Sequence, residues 1–271
     1  MKKYKTDWYL YYLVNVTLII LVSFPIYWAF VSSIKPPNEL ITNTPTLFPK
    51  NPTFESYERI WNLEPTSSRG NVRSAFKNSA IVSIGTVVLS AIISTLAAYA
   101  LTILRTPFRH FIFLLIIMPI LIPGISLLIP LYKLVKELGL MNSYLGLILI
   151  HSTGMLTLGV FLMRNAFMSI PTSLREVALL EGSSELRIMF TVMLPLAIPG
   201  LLTLMVFALY GSWNDFILAF LFVNTIDMEM LNVFLMKLTF AGSQFDTFWG
   251  LLNAGATVSY THLTLPTIAL V

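Results

Sequence analysis

The residues able to do chemistry are few and fall in two places. One is the charged stretch REVALLEGSSELRIMFTVMLP, residues 175–195, set between two apolar runs. The other is YGSWNDF, residues 210–216, which interrupts a long apolar run with a ring, an amide and a carboxylate. Sugars present hydroxyls and flat C–H faces, so Tyr210, Trp213 and Asn214 suit a passing sugar. The same residues also suit a polar kink that satisfies backbone groups where a membrane helix bends. His151 and Asp215 are the only ionisable candidates within the apolar runs, and a lone imidazole is more often an interior hydrogen bonder than a proton relay.

Other chemistry is excluded. The chain has no cysteine, and its three histidines show no metal-ligand spacing. No G-x-x-x-x-G-K-[ST] phosphate loop occurs, so ATP is not hydrolysed in that way by this chain alone. No nucleophile or acid–base constellation points to an enzyme.

The elements that must position these residues are membrane helices. Of 271 residues 56% are hydrophobic and 11% charged, far below the quarter charged of soluble domains. A helical crossing takes about 20 apolar residues. Such runs are expected at Tyr9 to about Ser32, Ser79 to about Leu104, Phe111 to about Tyr132, Tyr144 to about Met163, and Leu194 to about Val223 with its interruption at 213–215. A sixth begins at Phe248. The fold class is therefore all-α, a polytopic transmembrane bundle of about six spans, the last apparently truncated or replaced.

Orientation follows Lys and Arg. With the N-terminus inside, segments 1–8, 105–110 and 164–193 hold eight basic and four acidic residues, leaving nine of each elsewhere. The whole excess of +4 then lies on one side. This places residues 1–8 as a cytoplasmic terminus, 33–77 as an external loop and 164–193 as a cytoplasmic loop. The outer loop is proline-rich, with a short helix expected near Phe54 to Trp61; it is either a connector or a docking surface for an extracytoplasmic partner.

Within 164–193 local chemistry specifies helix, sharp turn, helix. Ser173 and Glu176 have capping-box spacing, and the first helix is expected from Leu174 to about Glu181. Gly182 supplies a left-handed terminator, and Ser183 or Ser184 can cap the next helix. Leu174, Val177, Ala178 and Glu181 share one stripe, where small Val177 and Ala178 admit another surface. The knob either fits a partner's groove or merely links two spans along the membrane surface.

This stretch resembles the EAA motif of bacterial ABC importer permeases. It reads Glu176-Val177-Ala178, then Gly182, then Val192-Met193-Leu194-Pro195, with every spacing matched. Val177 replaces the second-position alanine and Val192 the isoleucine. PTFESYERIW, LAAYAL, MPILIPGISLLIPLYKLVKELGLMNSYLGLIL and GSWNDF, in order, are also similar to the MalG-like subunit of the carbohydrate-uptake subfamily, over about residues 5–258. The resemblance implies a transmembrane domain over 9–258 in a bacterial inner membrane. Glu176, Val177, Ala178 and Gly182, with Leu194 and Pro195, would couple it to an ATPase. It also implies a second, MalF-like permease subunit, two cytoplasmic ATPase subunits that bind ATP and Mg²⁺, and an extracytoplasmic solute-binding protein. The cargo would be a sugar or oligosaccharide; a glycerol phosphate or polyol suits the same fold. A self-sufficient secondary carrier or channel is the reading of a different class.

One departure is plain. After GLLNAGATVS the family continues with a proline-containing apolar span and a basic, glycine-rich end. Here YTHLTLPTIALV follows, and Phe248 to Val258 is about half a crossing. Residues 259–271 are read as an atypical tail, a truncation joined to a foreign segment.

Overall fold

The computed structural model describes residues 2–40, 42, 44–66, 70–104, 106–240 and 249–259. Apart from Ser259, the atypical tail lies outside the described residues. In chain order the helices are α1 (Lys2–Ser33), α2 (Pro37–Leu40), α3 (Glu55–Trp61), α4 (Val72–Thr102), α5 (Arg109–Ile117), α6 (Leu128–Glu137), α7 (Tyr144–Met168), α8 (Thr172–Leu180), α9 (Glu185–Ile188), α10 (Leu194–Leu196), α11 (Ile198–Trp213), α12 (Ile217–Phe222), α13 (Leu231–Phe240) and α14 (249–259). No β-strand forms among the described residues, and the fold is all-α.

Among the described residues three helices are long and apolar enough to cross a membrane, Trp8–Ser33, Val72–Thr102 and Tyr144–Met168. Two bent pairs bring the number to five if each is one crossing. The first pair corrects the expectation of an unbroken third span over 111–132. Arg109–Leu121 and Gly124–Glu137 meet at 97°. Pro119 and Pro123 remove two backbone donors, and Ile122, forced out of the helical region by the proline after it, is extended at φ −95°, ψ 121°. Thr157 of α7 donates to the Ile116 carbonyl at 2.8 Å, where α5 gives way to a 3-10 turn.

The second pair breaks a span at a place not foreseen. Glu185–Leu196 and Ile198–Trp213 meet at 80° across Ala197. Pro199 has no N–H, so the Pro195 carbonyl loses its helical partner at this bend. A π turn over Met189–Met193 precedes it. The expected interruption at 213–215 is present as well, since α11 ends at Trp213 and α12 starts at Ile217.

Two compact units form, residues 1–73 with 234–266 and residues 74–233 with 267–271. In the first, α1 exposes its apolar residues along its length, a surface suited to lipid tails or another membrane helix. The loop after it is pinned by polar contacts. Lys35, 2% exposed, donates to the Thr46 carbonyl at 2.5 Å and lies 4.7 Å over the Trp28 ring. Tyr27 donates to the Leu47 carbonyl at 2.7 Å, and the Ser33 and Tyr57 hydroxyls meet at 2.6 Å. The short helix expected near 54–61 is α3. The loop ends sooner than expected, because α4 begins at Val72. α13 had no counterpart in the sequence reading. α14 packs on α3 and α13, for a Cβ at Gly250 would lie 2.6 Å from Ser56 Oγ and one at Gly255 2.5 Å from Leu235 Cδ2.

In the second unit α7 is the central rod. A Cβ at Gly159 would lie 2.2 Å from Ser94 Oγ of α4, and one at Gly200 of α11 would lie 2.6 Å from Ala166 Cβ. Small residues let these backbones approach, the usual device where lipid supplies no hydrophobic drive for helix association. Val160, Met163, Phe167, Ile188, Met193 and Leu204 fill the resulting core. At the start of α4, Asn78 donates to the Asp227 and Glu229 carbonyls at 2.8 and 3.0 Å and accepts from Tyr144 at 2.7 Å.

Candidate functional site: the α8 corner

The chain leaves α7 through Pro171 and enters α8 two residues earlier than expected. With the helix starting at Thr172, Ser173 is already helical and cannot adopt the extended backbone of a capping residue. Pro171 occupies that position at φ −59°, ψ 129°, and no side chain caps the helix. The expected Ser173–Glu176 capping box is therefore absent.

The other end forms as the glycine suggested. Gly182 stands at φ +81°, where a side chain would be strained. Its N–H donates to the Leu179 carbonyl and that of Ser183 to the Ala178 carbonyl, both at 3.0 Å. These are the two bonds of a Schellman closure, and they satisfy the orphan carbonyls of the helix. Ser184 then takes the extended cap position before α9, without a side-chain bond.

The expected stripe divides. Ala178 is 8% exposed and packs inward in the cluster of Phe167, Ile188, Met189 and Met193. Val177 is 54% and Leu180 89% exposed, and with Leu174 they form the apolar outer face, flanked by exposed Glu176 and Glu181. Ala178 is thus the footing of the helix, not part of the surface it presents. Leu194 is half-buried and Pro195 exposed, just before the bend at Ala197.

Three residues hold the corner together, of which Arg175 and Glu185 enter the sequence reading only as charges of the cytoplasmic loop and Tyr99 is not singled out there. Arg175 of α8 ion-pairs with Glu185 of α9 through Nη2 and Oε1, and its Nε donates to Oε2 at 3.3 Å. Tyr99 near the end of α4 donates to the same Oε2 at 2.9 Å. Its ring meets Phe167 edge-on at 5.6 Å. The hydrogen bond to Glu185 raises the Arg175 pKa above its already high ordinary value, so the guanidinium stays charged. A signal for Arg175 and Glu185 was available, opposite charges on two helices facing across a glycine turn. Nothing local marks Tyr99.

The 210–216 stretch is arranged differently. Trp213 is 7% exposed and meets Phe76 edge-on at 5.3 Å. The Asn214 amide donates to the Tyr210 carbonyl of its own helix at 3.0 Å. Tyr210 alone of the three is broadly exposed. Asp215 accepts from the Leu218 and Ala219 N–H groups at 3.3 and 2.9 Å, and His151 Nε2 lies 3.8 Å from its Oδ2. Asn232 donates to the Trp213 and Asp215 carbonyls at 2.9 and 3.2 Å. The backbone at the break is thereby satisfied from within the unit.

The family described as "Binding-protein-dependent transport system inner membrane component" matches residues 87–271. A probable ABC transporter permease protein of Pyrococcus horikoshii is 31% identical over 232 residues, covering 86% of this chain and 82% of its own. A probable starch degradation products transport system permease protein of Thermoanaerobacterium thermosulfurigenes is 32% identical over 261 residues, 96% of this chain and 90% of its own. A chain in the crystal structure of a bacterial ABC transporter that imports the acidic polysaccharide alginate superposes with a TM-score of 0.82 over 96% of this chain and 95% of that one, at 23% identity. The protein is therefore a member of the family of inner-membrane components of binding-protein-dependent transport systems, a multi-pass ABC transporter permease.

Proposed function

We propose that this chain is the MalG-like permease subunit of an ATP-driven importer for a sugar or oligosaccharide, with α8 as the helix that engages a cytoplasmic ATPase subunit. The observation that carries this reading is the outer face of α8. Leu174, Val177 and Leu180 stand exposed between Glu176 and Glu181, on a helix anchored by Ala178 and closed by Gly182. An apolar ridge with charged margins, backed by a packed core, suits insertion into a groove of a partner. The residues Glu176, Val177, Ala178, Gly182, Leu194 and Pro195 then divide by task. Val177 and Glu176 meet the partner, Ala178 and Gly182 hold the helix in shape, and Leu194 and Pro195 lead the motion into the bend at Ala197.

In this reading the N-terminus is cytoplasmic, as the basic excess suggests. A second, MalF-like permease completes the path, two ATPase subunits bind ATP and Mg²⁺, and an extracytoplasmic binding protein delivers solute. Closure of the ATPase pair displaces α8, and the helices swing between inward- and outward-open arrangements. A saccharide cargo is supported by the relative named for starch degradation products and by the alginate importer. Cargo contact is assigned to Tyr210 in this reading, a role supported by its being the exposed member of the 210–216 group.

The test is co-purification. The chain is expected to retain its ATPase subunit in detergent, and Gly182→Pro, which cannot adopt φ +81°, to release it. Retention by Gly182→Pro, or solute accumulation driven by an ion gradient with this chain alone, overturns the proposal.

A further inference from the structure

The α8 corner is reached along the chain only through joints that bend. Pro171 stands at one end and the Gly182 turn at the other. Beyond Glu185 come the π turn at Met189–Met193 and the 80° bend at Ala197. A push on α8 transmitted along the backbone passes Pro171 to reach α7, or the glycine turn, the π turn and the bend to reach α11. A lateral polar connection to α4 avoids them all. Tyr99 lies three residues before the end of α4, an unbroken helix from Val72 to Thr102, and donates to Glu185 at 2.9 Å while Arg175 of α8 holds the same carboxylate. The connection is layered. Directly beneath the polar bridge, Tyr99, Phe167, Ala178 and Ile188 belong to one buried cluster.

We propose that Tyr99 is a positioning residue for energy coupling, fastening α8 to the end of α4 through Glu185 so that the displacement of α8 is delivered sideways into α4. This rests on α8 being the ATPase-engaging helix. The ion pair is partly exposed, and such pairs add little stability by themselves. Its role is directional: Arg175 grips Glu185 with two donors, and the phenol fixes the carboxylate against α4. In Tyr99→Phe the ring stays on Phe167, the apolar layer is intact, and only the lateral bond is lost.

The chain has no cysteine, so paired labels can be placed at will. Nitroxides at Thr172→Cys on α8, exposed and outside the apolar ridge, and at exposed Leu96→Cys on α4 are measured by pulsed EPR in the assembled transporter, with and without ATP and Mg²⁺. The distance is expected to stay the same in both nucleotide states, and to shift or broaden with nucleotide once Tyr99→Phe is added. In reconstituted transporter, solute moved per ATP hydrolysed is expected to fall about two- to tenfold in Tyr99→Phe, the range one hydrogen bond accounts for. Glu185→Gln, which removes the shared charge, is expected to fall likewise. A distance that changes with nucleotide in the parent overturns the proposal. So does a Tyr99→Phe ratio equal to the parent's, including equal losses of transport and hydrolysis. A parent chain that fails to retain ATPase subunits defeats the coupling-helix reading itself, and that outcome is read before any variant is made.

Discussion

The N–H of Ser183 closes onto the carbonyl of Ala178 at 3.0 Å, carried there by the left-handed backbone of Gly182 between them. This bond ends α8 and turns the chain, so that the same residue whose carbonyl accepts it also plants its side chain in the core. A Cβ at Gly182 would meet nothing within 4 Å. Gly182→Ala is therefore expected to cost only the conformational term, about 1 kcal/mol. Thermal unfolding in detergent should show a small shift with ATPase binding retained, in contrast to Gly182→Pro.

Neighbouring positions on α8 should respond in opposite ways. Ala178→Leu forces bulk into a filled core and is expected to destabilise by about 1–3 kcal/mol. Val177→Asp faces outward and should leave stability within about 0.5 kcal/mol while ATPase binding is lost. Thermal unfolding and pull-down on the two variants separate the effects; a stable Ala178→Leu would show the footing assignment to be mistaken.

The approach of α7 to α4 should be sensitive at one point. Gly159→Ala places a methyl 2.2 Å from Ser94 Oγ and is expected to lower the unfolding midpoint. Adding Ser94→Gly makes room and should recover part of the loss, with an interaction energy of about 0.5–3 kcal/mol in a double-mutant cycle. Strict additivity would contradict the contact.

At the break after α11, Asn232 and Asn214 should differ. Asn232→Leu leaves the Trp213 and Asp215 carbonyls without their donor and is expected to destabilise by about 1–3 kcal/mol. Asn214→Ala removes a bond to its own helix and is expected to change stability by less than about 0.5 kcal/mol. Uptake measured on Asn214→Ala then reports on sugar contact alone, and unchanged uptake dismisses that role.

Much of the protein is legible in its residues because the deciding physics is local. An apolar run of the right length has to be helical in lipid, which identified α1, α4 and α7. Gly182 followed by two serines, between two helix-forming stretches, favours a turn from one helix into the next. The matched EAA spacing identified the family. The tertiary structure decided what depends on residues far apart. Periodicity placed Val177 and Ala178 on one stripe, yet only the surrounding core turns Ala178 in and leaves Val177 out. Pro119, Pro123, Pro195 and Pro199 weaken helices locally, but the angles of 97° and 80° belong to the folded molecule. Tyr99 and Glu185 lie 86 positions apart, and no pattern in the chain announces their bond. A helix end can be read from four residues, whereas a contact between two helices exists only once packing has chosen which faces meet.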